Sequence, residues 1–191
     1  MDFLPIFLNI KNRNCLVVGG GEVAVRKITL LLQAGAQVSV ISPELDASLS
    51  EYVALGKIKH SAEHFQPSHL HNAVLVIAAT NNRVTNRFVS ETARQHLIPV
   101  NVVDDPDLCT FIMPSIIDRS PLMIAISSGG QSPVLARLLR AQLETIIPAA
   151  YARLTAIAGK LRQQVKEHFT HPEKRRIFWE KTLQGTFTDM V

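Results

Sequence analysis

Cysteine is almost missing from this sequence: Cys15 and Cys109 are the only two in 191 residues. Each falls in or beside a segment of strand character. A disulfide framework and a cysteine-based zinc site are therefore not expected, and a reducing cytoplasm is the default location. Long apolar runs are also missing, since none reaches the roughly 18 residues of a membrane span. The opening stretch MDFLPIFLNIKNRN contains Asp2 and Pro5 and has no basic residue ahead of its apolar ones, so it does not read as a secretory signal. A charge excess is absent from most of the chain. Residues 1–150 hold 12 Lys/Arg against 12 Asp/Glu, and the whole net charge of +4 comes from residues 151–191, with 8 against 4. Such a basic appendage suggests an anionic partner or else a solvated helical surface. The neutral part shows no basic stripe and no groove-reading motif, so nucleic acid is not the expected partner.

What is present is organised around NCLVVGGGEVAVRKITLLLQAGAQVSVI, residues 14–41. The unbroken apolar run at residues 15–18 reads as a strand buried on both faces. Three glycines follow, then Ala24, Ile28, Leu31 and Leu32 recur at helical spacing until Gly35, and residues 37–41 form a second strand. Gly19, Gly21 and Ala24 occupy the small positions of the G-x-G-x-x-G/A dinucleotide fingerprint. The first allows a tight turn, the second lets a pyrophosphate approach the backbone, and the third lets the helix pack closely on the strand. Free N–H groups and the helix dipole would then face the phosphates; the alternative is a bare structural turn. Past the end of the second strand, Glu44 lies slightly late for the acid that holds a ribose hydroxyl, and the next cation is the distant Lys57. That favours NAD over NADP, unless Glu44 is only a solvated loop acid.

Farther on, residues 45–55 are weakly helical and residues 57–60 alternate like an edge strand. His60, His64, His69 and His71 crowd together, but the polar, proline-containing context reads as surface loop, and no metal site is assigned. Residues 73–79 form another doubly buried strand, which puts Thr80 and Asn81 at its carboxyl end, where open α/β sheets bind ligands; Asn82 is a candidate helix cap. A helix at 83–96 and a strand at 98–103 complete a mostly parallel, doubly wound Rossmann-type sheet. Asp104, Asp105 and Asp107 then cluster at the sheet's carboxyl end. One could act as a general base or steer a cation, while a simple turn would explain the same residues. Residues 111–119 and 122–127 read as two extended segments joined by a turn. A flexible link at 127–130 follows, then a helix from Ser132 and Pro133 to about Ile146. Residues 151–183 are helical in composition, with Phe178 and Trp179 as docking anchors, and 185–191 read as frayed.

In this order, LPIF, VVGGGEVAVRK, IAATN, NVVDDPD, PSIIDRSPLMIAISSGGQSPVLARLLR and RRIFWE resemble the N-terminal module of sirohaem synthase over essentially the whole chain. The resemblance implies a precorrin-2 dehydrogenase and sirohydrochlorin ferrochelatase with NAD as cofactor and ferrous iron as substrate. It also implies a homodimer in three parts: a Rossmann domain at 1–113, an intertwined dimerisation region at 114–147 and a basic helical domain at 148–191. Glu22, Val23, Pro43 and Glu44 would contact NAD, and Asp104 would be the catalytic aspartate of both reactions. Ser128 matches a position that carries a regulatory phosphate in some members. In the implied chemistry precorrin-2 loses a hydride to NAD and a proton to a base, and iron then replaces two ring N–H protons. The macrocycle's eight carboxylates would give the basic appendage a role. The family's full architecture has a further methyltransferase domain that this sequence does not reach, as expected of either a standalone two-activity protein or a truncated one. A competing expectation is a non-catalytic NAD-sensing module, which would need the glycine turn and Glu44 but not Asp104.

Overall fold

The structure is a computed structural model that describes residues 2–184, so the frayed end expected at 185–191 lies outside the described residues. The chain divides into two compact units, Met1–Met113 and Pro114–Val191.

The first unit is a parallel five-stranded sheet built from β1 (Asn14–Val18), β2 (Gln37–Ile41), β3 (Ile58–Ser61), β4 (Ala73–Ala78) and β5 (Val100–Val102), in the spatial order β3-β2-β1-β4-β5. Side chains alternate across a strand. Cys15 and Val17 of β1 accordingly enter one core cluster, and Leu16 and Val18 enter another on the opposite face. Helices α1 (Glu22–Gln33) and α2 (Ala47–Ala54) cover the first face through Ala24, Ile28, Leu31 and Leu49. Helix α3 (Arg83–Gln95) covers the second through Val89 and Ala93. Both faces of β1 are covered, which is why its sequence is apolar without alternation. The edge position of β3 agrees with its alternating polar sequence. β5 is shorter than the 98–103 run suggests. Pro99 has no N–H for the ladder, although its carbonyl still accepts from Val76 N at 2.9 Å. Strand order reverses between β1 and β4, the switch point beyond whose carboxyl ends such sheets bind ligands.

The second unit begins with an antiparallel hairpin, β6 (Ser115–Arg119) and β7 (Leu122–Ile126), in which Ile117 opposes Ile124. Asp118 Oδ1 closes its turn by accepting from Ser120 N at 2.8 Å and Ser120 Oγ at 2.6 Å. Helix α4 (Pro133–Ile146) starts where the sequence suggests, with Ser132 Oγ accepting from Leu135 N and Pro133 at the first position. The 127–130 link is a hydrogen-bonded turn rather than a free linker. Ser128 Oγ accepts from Ser132 N at 2.9 Å, and Gly129 and Gly130 take positive φ. The helical stretch expected at 151–183 is two helices, α5 (Ala150–His168) and α6 (Pro172–Leu183). Pro172 lacks an N–H and so cannot sit inside a continuous helix without cost; here it starts one. Phe169 between them stacks on Phe178, which meets Trp179 edge-on at 5.2 Å.

Candidate functional site

The site begins with the glycine turn after β1. Gly19 has φ +121°, and a Cβ there would run into the Ala79 carbonyl at the end of β4. A Cβ on Gly20 would collide with the Glu44 carbonyl, whereas one on Gly21 would meet nothing within 4 Å. The first two glycines therefore serve chain packing, and the third leaves an open face. Gly21 is also the N-cap of α1 and offers no side-chain acceptor. The first-turn N–H groups of α1 thus lack a side-chain cap, which suits an anion. The fingerprint template passes over Gly20, although its collision partners show that glycine is required there too.

A cavity of about 1210 Å³ opens at this turn. The glycine turn contributes Gly19, Gly21, Glu22 and Val23 to its wall, the end of β2 contributes Pro43 and Glu44, and the end of β4 contributes Thr80 and Asn81. Asp104, after β5, completes it, so every cofactor and catalytic residue expected from the sequence in the first unit faces one space. The β2 loop is pinned to the turn by Asp46 N donating to Gly20 O at 2.7 Å and Ser42 Oγ donating to Glu44 O at 2.6 Å. Thr80 Oγ1 donates to Asn86 Oδ1 at 2.7 Å, and Asn86 Nδ2 returns a bond to Thr80 O at 2.9 Å. Asn82 caps α3, as its sequence position suggests. The histidines lie in separate surroundings: His60 Nε2 is 2.8 Å from Ser42 O, His69 faces Glu63, His64 lines the cavity, and His71 lines a different one. Ser128 belongs to the second unit.

The acidic run resolves into three environments. Asp104 is exposed to the cavity, and its backbone takes φ +59°, an uncommon conformation for a residue with a side chain. Asp105 is turned toward α3 and pairs with Arg83 at 3.5 Å. Asp107 lies in the following short turn, outside the cavity wall. The left-handed backbone at Asp104 is held from both sides. Cys109 Sγ accepts from Val102 N at 3.1 Å, and Thr110 N donates to Val100 O at 2.8 Å. From α3, Ser90 Oγ donates to Leu108 O at 2.6 Å and Arg94 donates to Asp107 O at 3.0 Å. Uncommon backbone persists where its surroundings over-determine it. Burial pushes the Cys109 thiol up, which keeps it protonated as this clasp.

Two cations near this turn escape a motif-based reading because helices supply them. Arg83 lines the cavity although it lies far beyond Glu44 in sequence. Lys27 is half-buried on α1. Burial lowers its pKa, and the Asp104 carboxylate partly offsets that by favouring the charged form. Its spacing from the buried Ala24 and Ile28 was the available signal, a lysine placed beside the core face of its helix. Among the described residues, the cavity wall carries Glu22, Glu44, Asp46, Glu63 and Asp104 against the single cation Arg83.

Residues 6–115 match the family model described as "Putative NAD(P)-binding". Residues 119–145 match "Sirohaem biosynthesis protein central", and residues 150–191 match "Sirohaem synthase dimerisation region". Over its full length the chain is 61% identical to a siroheme synthase of Nitrosomonas eutropha and 59% identical to one of Nitrosomonas europaea. It spans about 40% of the length of each of these relatives. Among solved structures it resembles SirC, a precorrin-2 dehydrogenase, with a TM-score of 0.77 and 25% identity over 97% of this chain and 92% of that one.

Proposed function

We propose a function from the premise that this chain belongs to the family of sirohaem synthase N-terminal modules: it oxidises precorrin-2 to sirohydrochlorin with NAD, and the same site serves insertion of ferrous iron to give sirohaem. The observation that carries this reading is a single cavity walled both by the open glycine turn and by Asp104, which makes no ion pair among the described residues and is held in a left-handed backbone. The residues fit a dinucleotide, because Gly21 leaves the approach open and the first turn of α1 is uncapped. Gly19, Gly21, Glu22 and Val23 would cradle its pyrophosphate, with Pro43 and Glu44 at the adenosine ribose and Thr80 and Asn81 farther along. Arg83 is engaged with Asp105, and Glu44 in the cavity wall would repel a 2′-phosphate, which supports NAD over NADP.

When bound, NAD supplies the hydride acceptor. The chain's task is the proton. Asp104 would take the one released as the macrocycle is oxidised, and later the ring N–H protons displaced by iron. Lys27, whose charged form the Asp104 carboxylate favours, puts a cation near the proton-transfer site. The reading is tested by supplying the purified chain with precorrin-2 and NAD, then with ferrous iron. Equimolar NADH and sirohydrochlorin followed by sirohaem are expected, and absence of NADH would overturn it.

We also read the chain as a homodimer, because Leu135 and Leu138 on α4 are 50% and 56% exposed. Ser128 is the candidate for regulation by phosphate. Adding about −1.5 to −2 charge near the start of α4 should weaken binding of a polycarboxylate. Ser128→Ala should thus stay near wild type in precorrin-2 turnover while Ser128→Asp falls below it, and equal rates would count against regulation.

A further inference from the structure

A second cavity, of about 620 Å³, lies between α5 and α6, and nothing in the dehydrogenase reading uses it. Its wall is Gly159, Arg162, Gln163 and Lys166 from one face of α5, with Arg175 and Trp179 one turn apart on α6. Three of these six residues are cationic and none is acidic. Elsewhere in the unit Arg119 and Arg140 pair with Glu144, and Arg176 pairs with Glu173 and Glu180, while Arg137 and Arg153 make no ion pair among the described residues and lie outside this cavity wall. Among the described residues Arg162, Lys166 and Arg175 make no ion pair.

Two further observations indicate that the space serves a ligand. Arg175 Nε is buried and has no hydrogen-bond partner among the described residues, while its Nη2 is fixed by donating to Thr170 O at 3.0 Å. A buried donor left unpaired is costly, and an anion would satisfy it. Gly159 sits inside α5, where glycine costs about 1 kcal/mol relative to alanine. A Cβ there would meet nothing within 4 Å, so packing within the chain does not require glycine. What a side chain would do is narrow the cavity. Trp179, steadied edge-on by Phe178, adds a flat apolar wall.

We propose that this cavity binds a small polycarboxylate carried on a flat ring. The guanidinium and ammonium groups would take the carboxylates, and the indole would take the ring. On the proposed function, the occupant would be a carboxylate-bearing part of the tetrapyrrole. The acidic wall of the NAD cavity gives such a substrate little charge attraction of its own, so a separate cationic anchor has a physical reason to exist.

Trp179 is the only tryptophan in the chain and lines this cavity, so its fluorescence serves as the probe, with the cavity variants as controls for quenching from elsewhere. The full chain would be titrated at constant ionic strength with benzenehexacarboxylate, with sirohydrochlorin and with inorganic phosphate. Saturable change with benzenehexacarboxylate is expected, weakened about tenfold or more by Arg175→Gln and also by Gly159→Leu. Arg162→Gln, at an exposed position that leaves the fold unaffected, should weaken it as well. NAD affinity should not move in any variant. The same response to sirohydrochlorin would identify the substrate as occupant. A response to benzenehexacarboxylate without one to sirohydrochlorin would uphold the anion site and count against the tetrapyrrole reading. The proposal is overturned by no saturable response, by equal responses in wild type and variants, or by inorganic phosphate acting as well as the polycarboxylate. It is also overturned if protein concentration alone produces the change, which would mean that a second copy fills the cavity.

Discussion

At the scale of single residues, three adjacent glycines have three different constraints, and substitution should separate them. Gly19→Ala and Gly20→Ala push a Cβ into backbone carbonyls, and Gly19 adds a positive φ. Each should cost roughly 3 kcal/mol or more of stability, read as a shift in the urea midpoint. Gly21→Ala meets no atom and should fold normally, while Gly21→Asp should fold yet abolish NAD binding through bulk and charge at the phosphate approach. NAD titration of the folded Gly21→Asp protein checks this, and wild-type affinity would remove the turn from the site. Cys15 makes a separate prediction. Its thiol is fully buried in β1, and burial pushes its pKa up to about 11 from 9.0. Its contribution to stability is complete below pH 9. It then falls as the unfolded thiol ionises while the folded one stays protonated, and it is gone once the pH has passed the folded value. That shift corresponds to a loss of about 3 kcal/mol at most. Urea unfolding across this range should show a steeper alkaline decline in wild type than in Cys15→Ala. Parallel declines would mean that Cys15 does not titrate as described.

At the scale of elements, α4 leaves Leu135 and Leu138 half exposed on one side. Leu138→Glu should shift the chain from dimer toward monomer with little change in helix content, as read by sedimentation and circular dichroism; an unchanged mass would place the dimer contact elsewhere. The elements also show what sequence alone conveys. β1, the glycine turn and α1 were legible because an apolar run, a glycine cluster and helical spacing are all local signals. The Ser132–Pro133 helix start was legible for the same reason. Other features were masked by the composition around a proline or depend on contacts distant in sequence. The shortening of β5 follows from Pro99 within a ladder, and the α5–α6 break follows from Pro172, a signal that the helical composition around it masks. The separation of Asp104 from Asp105 depends on Arg83 reaching across from α3, and the clasp beneath Asp104 depends on Cys109, Ser90 and Arg94. No spacing rule in the NVVDDPD run contains these partners, so local sequence left turn and base equally open. Lys27 was hidden within an amphipathic pattern that explains its neighbours without it.

At the scale of the whole molecule, charge is divided between the units. The first unit, with 9 Lys/Arg against 10 Asp/Glu, concentrates acids around its cavity, and the excess of cations lies in residues 151–191, where three of them line a cavity of their own. A cofactor held by backbone N–H groups and a polycarboxylate held by side-chain cations should differ in their response to salt. The chemistry itself is assigned to one carboxylate. Among the described residues, Asp104 alone of the acidic run is both without an ion pair and in the cavity wall, and α3 and Cys109 hold its backbone in place. The most direct test compares Asp104→Asn with Asp105→Asn in NAD affinity, precorrin-2 oxidation and iron insertion. Asp104→Asn should bind NAD like wild type and lose both activities together, by about 10²–10⁴-fold and mainly in kcat. Asp105→Asn, which removes only the Arg83 pair, should retain most of both. Full activity in Asp104→Asn with loss in Asp105→Asn would contradict the assignment, and loss of dehydrogenation alone would contradict the single shared base.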